Sequence, residues 1–135
     1  MKTTTKTYKL ERTEIRKIIN MTIKWCQANL GTNNRRKNKF RISVRKNSYD
    51  TQPLMGTFCP YQNCLSIYYG NNPTVKDLIQ TTIHEYTHYL QPIRTYYFRI
   101  AKFVPYHLHP MELEACINEE KYFKQCKNYL KNNLS

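Results

Sequence analysis

Thr74-Val75-Lys76-Asp77-Leu78-Ile79-Gln80-Thr81-Thr82-Ile83-His84-Glu85-Tyr86-Thr87-His88-Tyr89-Leu90-Gln91 is the stretch whose reading decides the fold. Val75, Leu78, Ile79, Ile83, Tyr86 and Leu90 recur at helical spacing and predict an amphipathic helix. Pro73 and Thr74 open it, Asp77 completes a Thr-x-x-Asp capping box, and Pro92 ends it. The helix carries His84-Glu85-Tyr86-Thr87-His88, an H-E-x-x-H pattern. Four helical steps of about 100° return to nearly the same face with a rise of roughly 6 Å, so His84 and His88 can grip one ion. Zinc suits two imidazoles, a third ligand and one open position. A zinc-bound water has a pKa near about 7, and Glu85, beside that face, is placed to take its proton.

Working outward, Gly70-Asn71-Asn72 stops a strand predicted over Cys64-Leu65-Ser66-Ile67-Tyr68-Tyr69. Leu54 to Phe58 reads as a shorter strand, and Tyr61-Gln62-Asn63 as the turn between the two. Lys39 to Lys46 alternates cleanly: Phe40, Ile42 and Val44 face one way, and Lys39, Arg41, Ser43 and Arg45 the other. From Leu10 to Leu30, Ile15, Ile18, Ile19, Ile23, Cys26 and Leu30 mark a scaffold helix with Trp25 at its border, stopped by Gly31. Residues 1–8 are polar and expected to be loose. After Pro92, the aromatic and basic run Ile93 to Val104 reads equally as a short helix or a lid. A last helix is expected from Pro110 to Lys131, with Glu112 and Glu114 at its positive end. The fold class is therefore α+β in a single domain, 1–135, with an N-terminal helix, a small twisted sheet of three strands, the H-E-x-x-H helix and a C-terminal helix.

The third ligand must come from elsewhere in the chain. Glu114 is the first choice, since it lies on the first turn of the last helix, ahead of a small Ala115 that lets the two helices approach. Glu112 is its rival, because two residues apart on a helix is about 200° and only one of the pair can face the ion. The other would then orient a histidine or cap the helix. His107 and His109 are further candidates, giving a three-histidine site. A donor for a developing oxyanion is also needed, and Tyr106, His107 and His109 stand near enough in sequence.

An H-E-x-x-H helix followed by a helix carrying Glu-x-Glu-Ala resembles the zincin metallopeptidases, most of all the ImmA/IrrE-type proteins and more distantly the SprT-like ones. The resemblance covers roughly residues 65 to 118. It implies an intracellular zinc metalloprotease that hydrolyses peptide bonds, with His84, His88 and Glu114 as zinc ligands and Glu85 as general base. It also implies an edge strand ahead of the active helix for an extended peptide, a place that Cys64 to Tyr69 matches. The chain departs from the pattern at Thr87, where the family usually has glycine.

Composition bounds the rest. The 135 residues carry a formal charge of +13, which favours polyanions such as DNA, RNA or an acidic protein surface. Arg35, Arg36, Lys37, Lys39, Arg41, Arg45 and Lys46 are the candidate contacts to nucleic acid or nucleoprotein, with Tyr96, Tyr97, Phe98 and Phe103 available for stacking. The alternative function is thus a non-catalytic basic subunit or adaptor of a nucleic-acid-containing complex. Five cysteines without an apolar leader point to a reducing compartment, cytoplasm or organelle stroma. Cys59 and Cys64 could form half of a second zinc site, but buried thiols are the commoner outcome. No run reaches the roughly 18 apolar residues of a membrane span. Frequent Lys, Asn, Ile and Tyr fit an AT-rich coding genome.

Overall fold

The computed structural model describes residues 2–48, 53–92 and 104–134. Among these are four α-helices and a three-stranded mixed sheet: α1 (Arg12–Leu30), β1 (Arg41–Arg45), β2 (Gly56–Cys59), β3 (Cys64–Tyr68), α2 (Val75–Leu90), α3 (Pro110–Lys121) and α4 (Phe123–Asn133). The run Ile93 to Phe103, with Tyr96, Tyr97 and Phe98, lies outside the described residues.

The sheet order is β1-β3-β2, with β1 parallel and β2 antiparallel to β3. Alternation along the strands sorts their side chains into two faces. On the inner face Leu65 pairs with Ile42 and Phe58, and Ile67 with Val44 and Gly56. The outer face is polar: Arg41, Cys64 and Cys59 lie in one row, Ser43, Ser66 and Thr57 in the next. The strand predicted to be an edge, Cys64–Tyr69, is instead the central strand. Both of its backbone sides are already paired, so the edge beside α2 is β2.

The core lies between α1, the inner sheet face and α2. Ile15, Ile18, Ile19, Ile23, Trp25 and Cys26 of α1 meet Leu65, Ile67, Leu78, Ile79, Ile83 and Tyr86. The α2 helix is buried almost all round, which extends beyond the apolar stripe to Thr81, Thr82, Glu85 and Thr87. Thr82 and Thr87 hydroxyls donate within the helix to the carbonyls of Leu78 and Ile83, and Thr81 donates to Asn72 just before it.

Both ends of α2 are held from afar. The capping box forms as predicted, with Thr74 N–H donating to Asp77 at 3.0 Å and Asp77 N–H to Thr74 Oγ1 at 3.3 Å. Two further helix N–H groups, of Val75 and Lys76, donate to the carbonyls of Thr5 and Thr3, each at 3.0 Å. The N-terminal segment is therefore a strap docked on α2, because it accepts from helix amides that would otherwise lack partners. At the other end Arg36 Nη2 donates to the carbonyls of His88, Tyr89 and Gln91. Asn33 Nδ2 adds a bond to the Tyr89 carbonyl.

The predicted C-terminal helix is two helices. Tyr122 breaks it at φ −99° and ψ −3°, and its ring lies 5.8 Å from Trp25. The break lets α3 lie along α2 while α4 turns onto α1.

Candidate metal centre

His84 and His88 project from α2 toward α3, with ring centroids 5.1 Å apart. The carboxylate that meets them is Glu112. Its Oε1 lies 2.9 Å from His84 Nε2 and its Oε2 3.1 Å from His88 Nε2. Helix geometry explains the choice between Glu112 and Glu114. Buried Met111 and Ala115 face α2, and Glu112 sits beside that stripe. Glu114 is exposed and meets the amide of Gln91, whose Nε2 donates to its Oε1 at 2.9 Å.

The second nitrogen of each imidazole is engaged as well. Glu119 Oε1 lies 3.1 Å from His84 Nδ1, and Gln91 Oε1 lies 2.7 Å from His88 Nδ1. The Gln91 amide is oriented by its own partners: its nitrogen faces the Met111 carbonyl at 2.8 Å and the Glu114 carboxylate, both acceptors. Its oxygen therefore faces His88, so His88 Nδ1 carries a proton. An ionised Glu119 asks the same of His84 Nδ1. Neutral imidazoles in this tautomer leave both Nε2 lone pairs aimed at the Glu112 oxygens. Acceptors then face acceptors at 2.9 and 3.1 Å, and only a cation or extra protons can sit comfortably among them.

The ionisation behaviour follows from that crowding. Burial works against a charged imidazole, but hydrogen bonds to Glu112 and Glu119 outweigh it and raise His84 to about 10. His88 is raised in the same way, with burial opposed chiefly by Glu112. Glu85 is 7 % exposed and its Oε1 stands 4.0 Å from His84 Nε2. Burial pushes its carboxyl up to about 7, with His88 and His84 pulling the other way. Gly56 of β2 lies directly against it: a Cβ there would fall 3.1 Å from Glu85 Cγ, 2.8 Å from Thr81 Cγ2 and 3.0 Å from the Ser66 carbonyl.

No family model, curated protein or solved structure matches this chain. The geometry thus stands by itself. His84, His88 and Glu112 form a group whose ligand atoms all lie within 4.8 Å of one another, suited to hold a metal ion. The other candidates fall elsewhere. His109 is buried and caps α3, its Nδ1 accepting from Met111 N–H at 3.1 Å. His107 is exposed in the short turn Tyr106–Leu108. Cys59 and Cys64 face each other across β2 and β3, away from the buried inner face.

Several contributors escaped the sequence reading. Glu119 lies seven residues beyond Glu112, hence on the same helical face, and that spacing was a usable signal. Gln91 follows His88 by three, also a helical neighbour spacing. Arg36, grouped with the basic stretch, serves as the carboxyl-end cap of α2, with its guanidinium 4.9 Å from the Phe58 ring centroid. No local signal marks that long-range contact.

Proposed function

We propose that this protein is a zinc metallopeptidase of the zincin kind, holding zinc with His84, His88 and Glu112 and using Glu85 as general base. One observation carries the reading: two imidazole Nε2 atoms and a carboxylate converge, and the other nitrogen of each ring faces an oxygen of Glu119 or Gln91. Such acceptors on the far nitrogen are what orient ligand histidines in zinc proteins. Zinc supplies Lewis acidity, which brings water into nucleophilic range near neutral pH. Glu85 is suited to proton transfer at that pH, because burial sets its own pKa at about 7. Among the described residues, β2 pairs with β3 alone. Its other backbone edge, next to Glu85, suits an extended peptide added as a further strand. The helix–sheet–helix–helix–helix order with an antiparallel edge strand supports the zincin reading.

The test joins metal content to turnover. Wild type and Glu85→Gln are each expected to carry about one zinc per chain, while the variant loses peptide hydrolysis by several orders of magnitude. Equal turnover in the two proteins would remove Glu85 from the chemistry.

The basic outer sheet face favours a second reading, a subunit or adaptor on nucleic acid. Arg41 and Arg45 are exposed there, in a chain of net charge +13. A peptide hydroxamate separates the two readings. It should raise the melting temperature of a catalytic, open zinc site by ligand linkage and leave a closed structural site unmoved.

A further inference from the structure

A second donor set touches the first. His84, Cys116 and Glu119 each offer one ligand atom, all within 4.8 Å of one another, and the His84 nitrogen that Glu119 Oε1 meets is Nδ1, at 3.1 Å. Cys116 stands on the same side of α3 as Glu112 and Glu119, one helical turn from each, with Sγ 3.9 Å from Glu112 Oε1. The two sets share a single residue, His84, whose Nε2 meets Glu112 and whose Nδ1 meets Glu119.

We propose that His84 serves two mutually exclusive cation sites, and that a thiophilic cation such as Cd²⁺ or Cu⁺ occupies the second, made of His84 Nδ1, Cys116 and Glu119. Thiolate donors select soft cations over those content with nitrogen and oxygen. Exclusivity follows from the tautomer of one ring. In the first site Nε2 is the ligand, and Nδ1–H donates to Glu119 across 3.1 Å. In the second, Nδ1 becomes the ligand and its proton is carried by Nε2, which then donates to Glu112 Oε1 across 2.9 Å. Both forms of the neutral ring thus have a carboxylate waiting for the proton. On binding, the Cys116 thiol gives its proton to solvent, one sulfur–metal, one nitrogen–metal and one Glu119 oxygen–metal bond form, and the ring proton changes nitrogen. The cation in the first site loses His84, keeps only His88 and Glu112, and departs. The proposal concerns coordination alone and holds whether or not the first site is catalytic.

Zinc-loaded protein titrated with Cd²⁺ tests it by two readouts. These are the ultraviolet thiolate-to-cadmium charge-transfer band and the zinc released to a chromophoric chelator. Wild type should develop the band and release its zinc in step. His88→Ala, which damages the first site and spares all three donors of the second, should still develop the band. Cys116→Ser should lose it and require roughly tenfold more Cd²⁺ or more to release zinc. An undiminished band in Cys116→Ser, a missing band in His88→Ala, or a full band with all zinc retained would each overturn the proposal. If wild type holds no zinc at all, the reading of the first site fails. The band and its dependence on Cys116 would still decide the second.

Discussion

Glu112 and Glu114 are two places apart on one helix, and about 200° of rotation separates a carboxylate that meets both imidazoles from one that only supports them. Glu112 meets both Nε2 atoms, while Glu114 holds the Gln91 amide that in turn fixes His88. Glu112→Ala should therefore lose most bound zinc. Glu114→Ala should keep it with an affinity lower by about tenfold, the usual effect of removing an outer support. Metal content after dialysis against a chelator compares them, and full zinc retention by Glu112→Ala would discard the assignment. The same residues set the pH response of the metal-free protein. His84 rises from 6.5 to about 10 and Glu85 from 4.5 to about 7. The folded state thus holds more protons than the unfolded one over that span. The Glu85 contribution is full below its unfolded value and lost as pH rises through about 7. The His84 contribution is full below 6.5 and lost toward about 10. The melting temperature of metal-free protein should fall steadily from mildly acid to alkaline pH, and bound zinc should flatten the fall above neutrality by taking the place of those protons. A metal-free protein whose stability climbs over the same range would contradict this account of the site.

Individual elements were readable to differing degrees, and the differences are physical. The α2 helix was plain because its box, its stripe and its stop are local, and the structure has Thr74, Asp77 and Val75–Leu90 where they were expected. The strands were plain as strands, but their order was not. Parallel pairing of Arg41–Arg45 with β3 brings together segments far apart in sequence, and no local pattern encodes it. The break at Tyr122 was invisible for a similar reason, since a tyrosine has no helix-stopping chemistry and acts here through a distant tryptophan. Two variants probe the long-range contacts that place α2. Arg36→Ala removes the cap on three carbonyls and should cost about 1.5–3 kcal/mol in denaturant unfolding. Arg36→Lys should recover little of it, because an ammonium lacks the planar fork. Gly56→Ala forces β2 away from Thr81, Glu85 and a backbone carbonyl, and should cost about 1–3 kcal/mol. A Gly56→Ala protein as stable as wild type would mean that β2 and α2 stand farther apart than described.

For the molecule as a whole, charge and order of the chain matter most. No helix among the described residues is long and apolar enough to cross a membrane. The outer sheet face offers Arg41 and Arg45 on either side of polar Ser43, whose Oγ accepts from Arg45 Nε at 3.3 Å. If this face meets nucleic acid, binding should weaken steeply with salt, and Arg41→Glu with Arg45→Glu should weaken it further without unfolding the domain. Fluorescence anisotropy with a labelled duplex and a single strand checks this, and salt-independent binding would exclude a phosphate partner.

The strap of residues 3–7 along the start of α2 sets a timetable for biosynthesis. A ribosome delivers Thr3 and Thr5 first, Arg36 next and the histidine helix after them. The strap and the Arg36 cap on that helix have thus been made by the time Gln91 is added. Glu112 and Glu119 arrive only afterwards. The growing chain therefore carries both imidazoles before Glu112 and Glu119 have been added. If the site takes a metal ion, its capture by the full donor set is a late event, and a chain stalled before Glu112 would offer metal two footholds without the third.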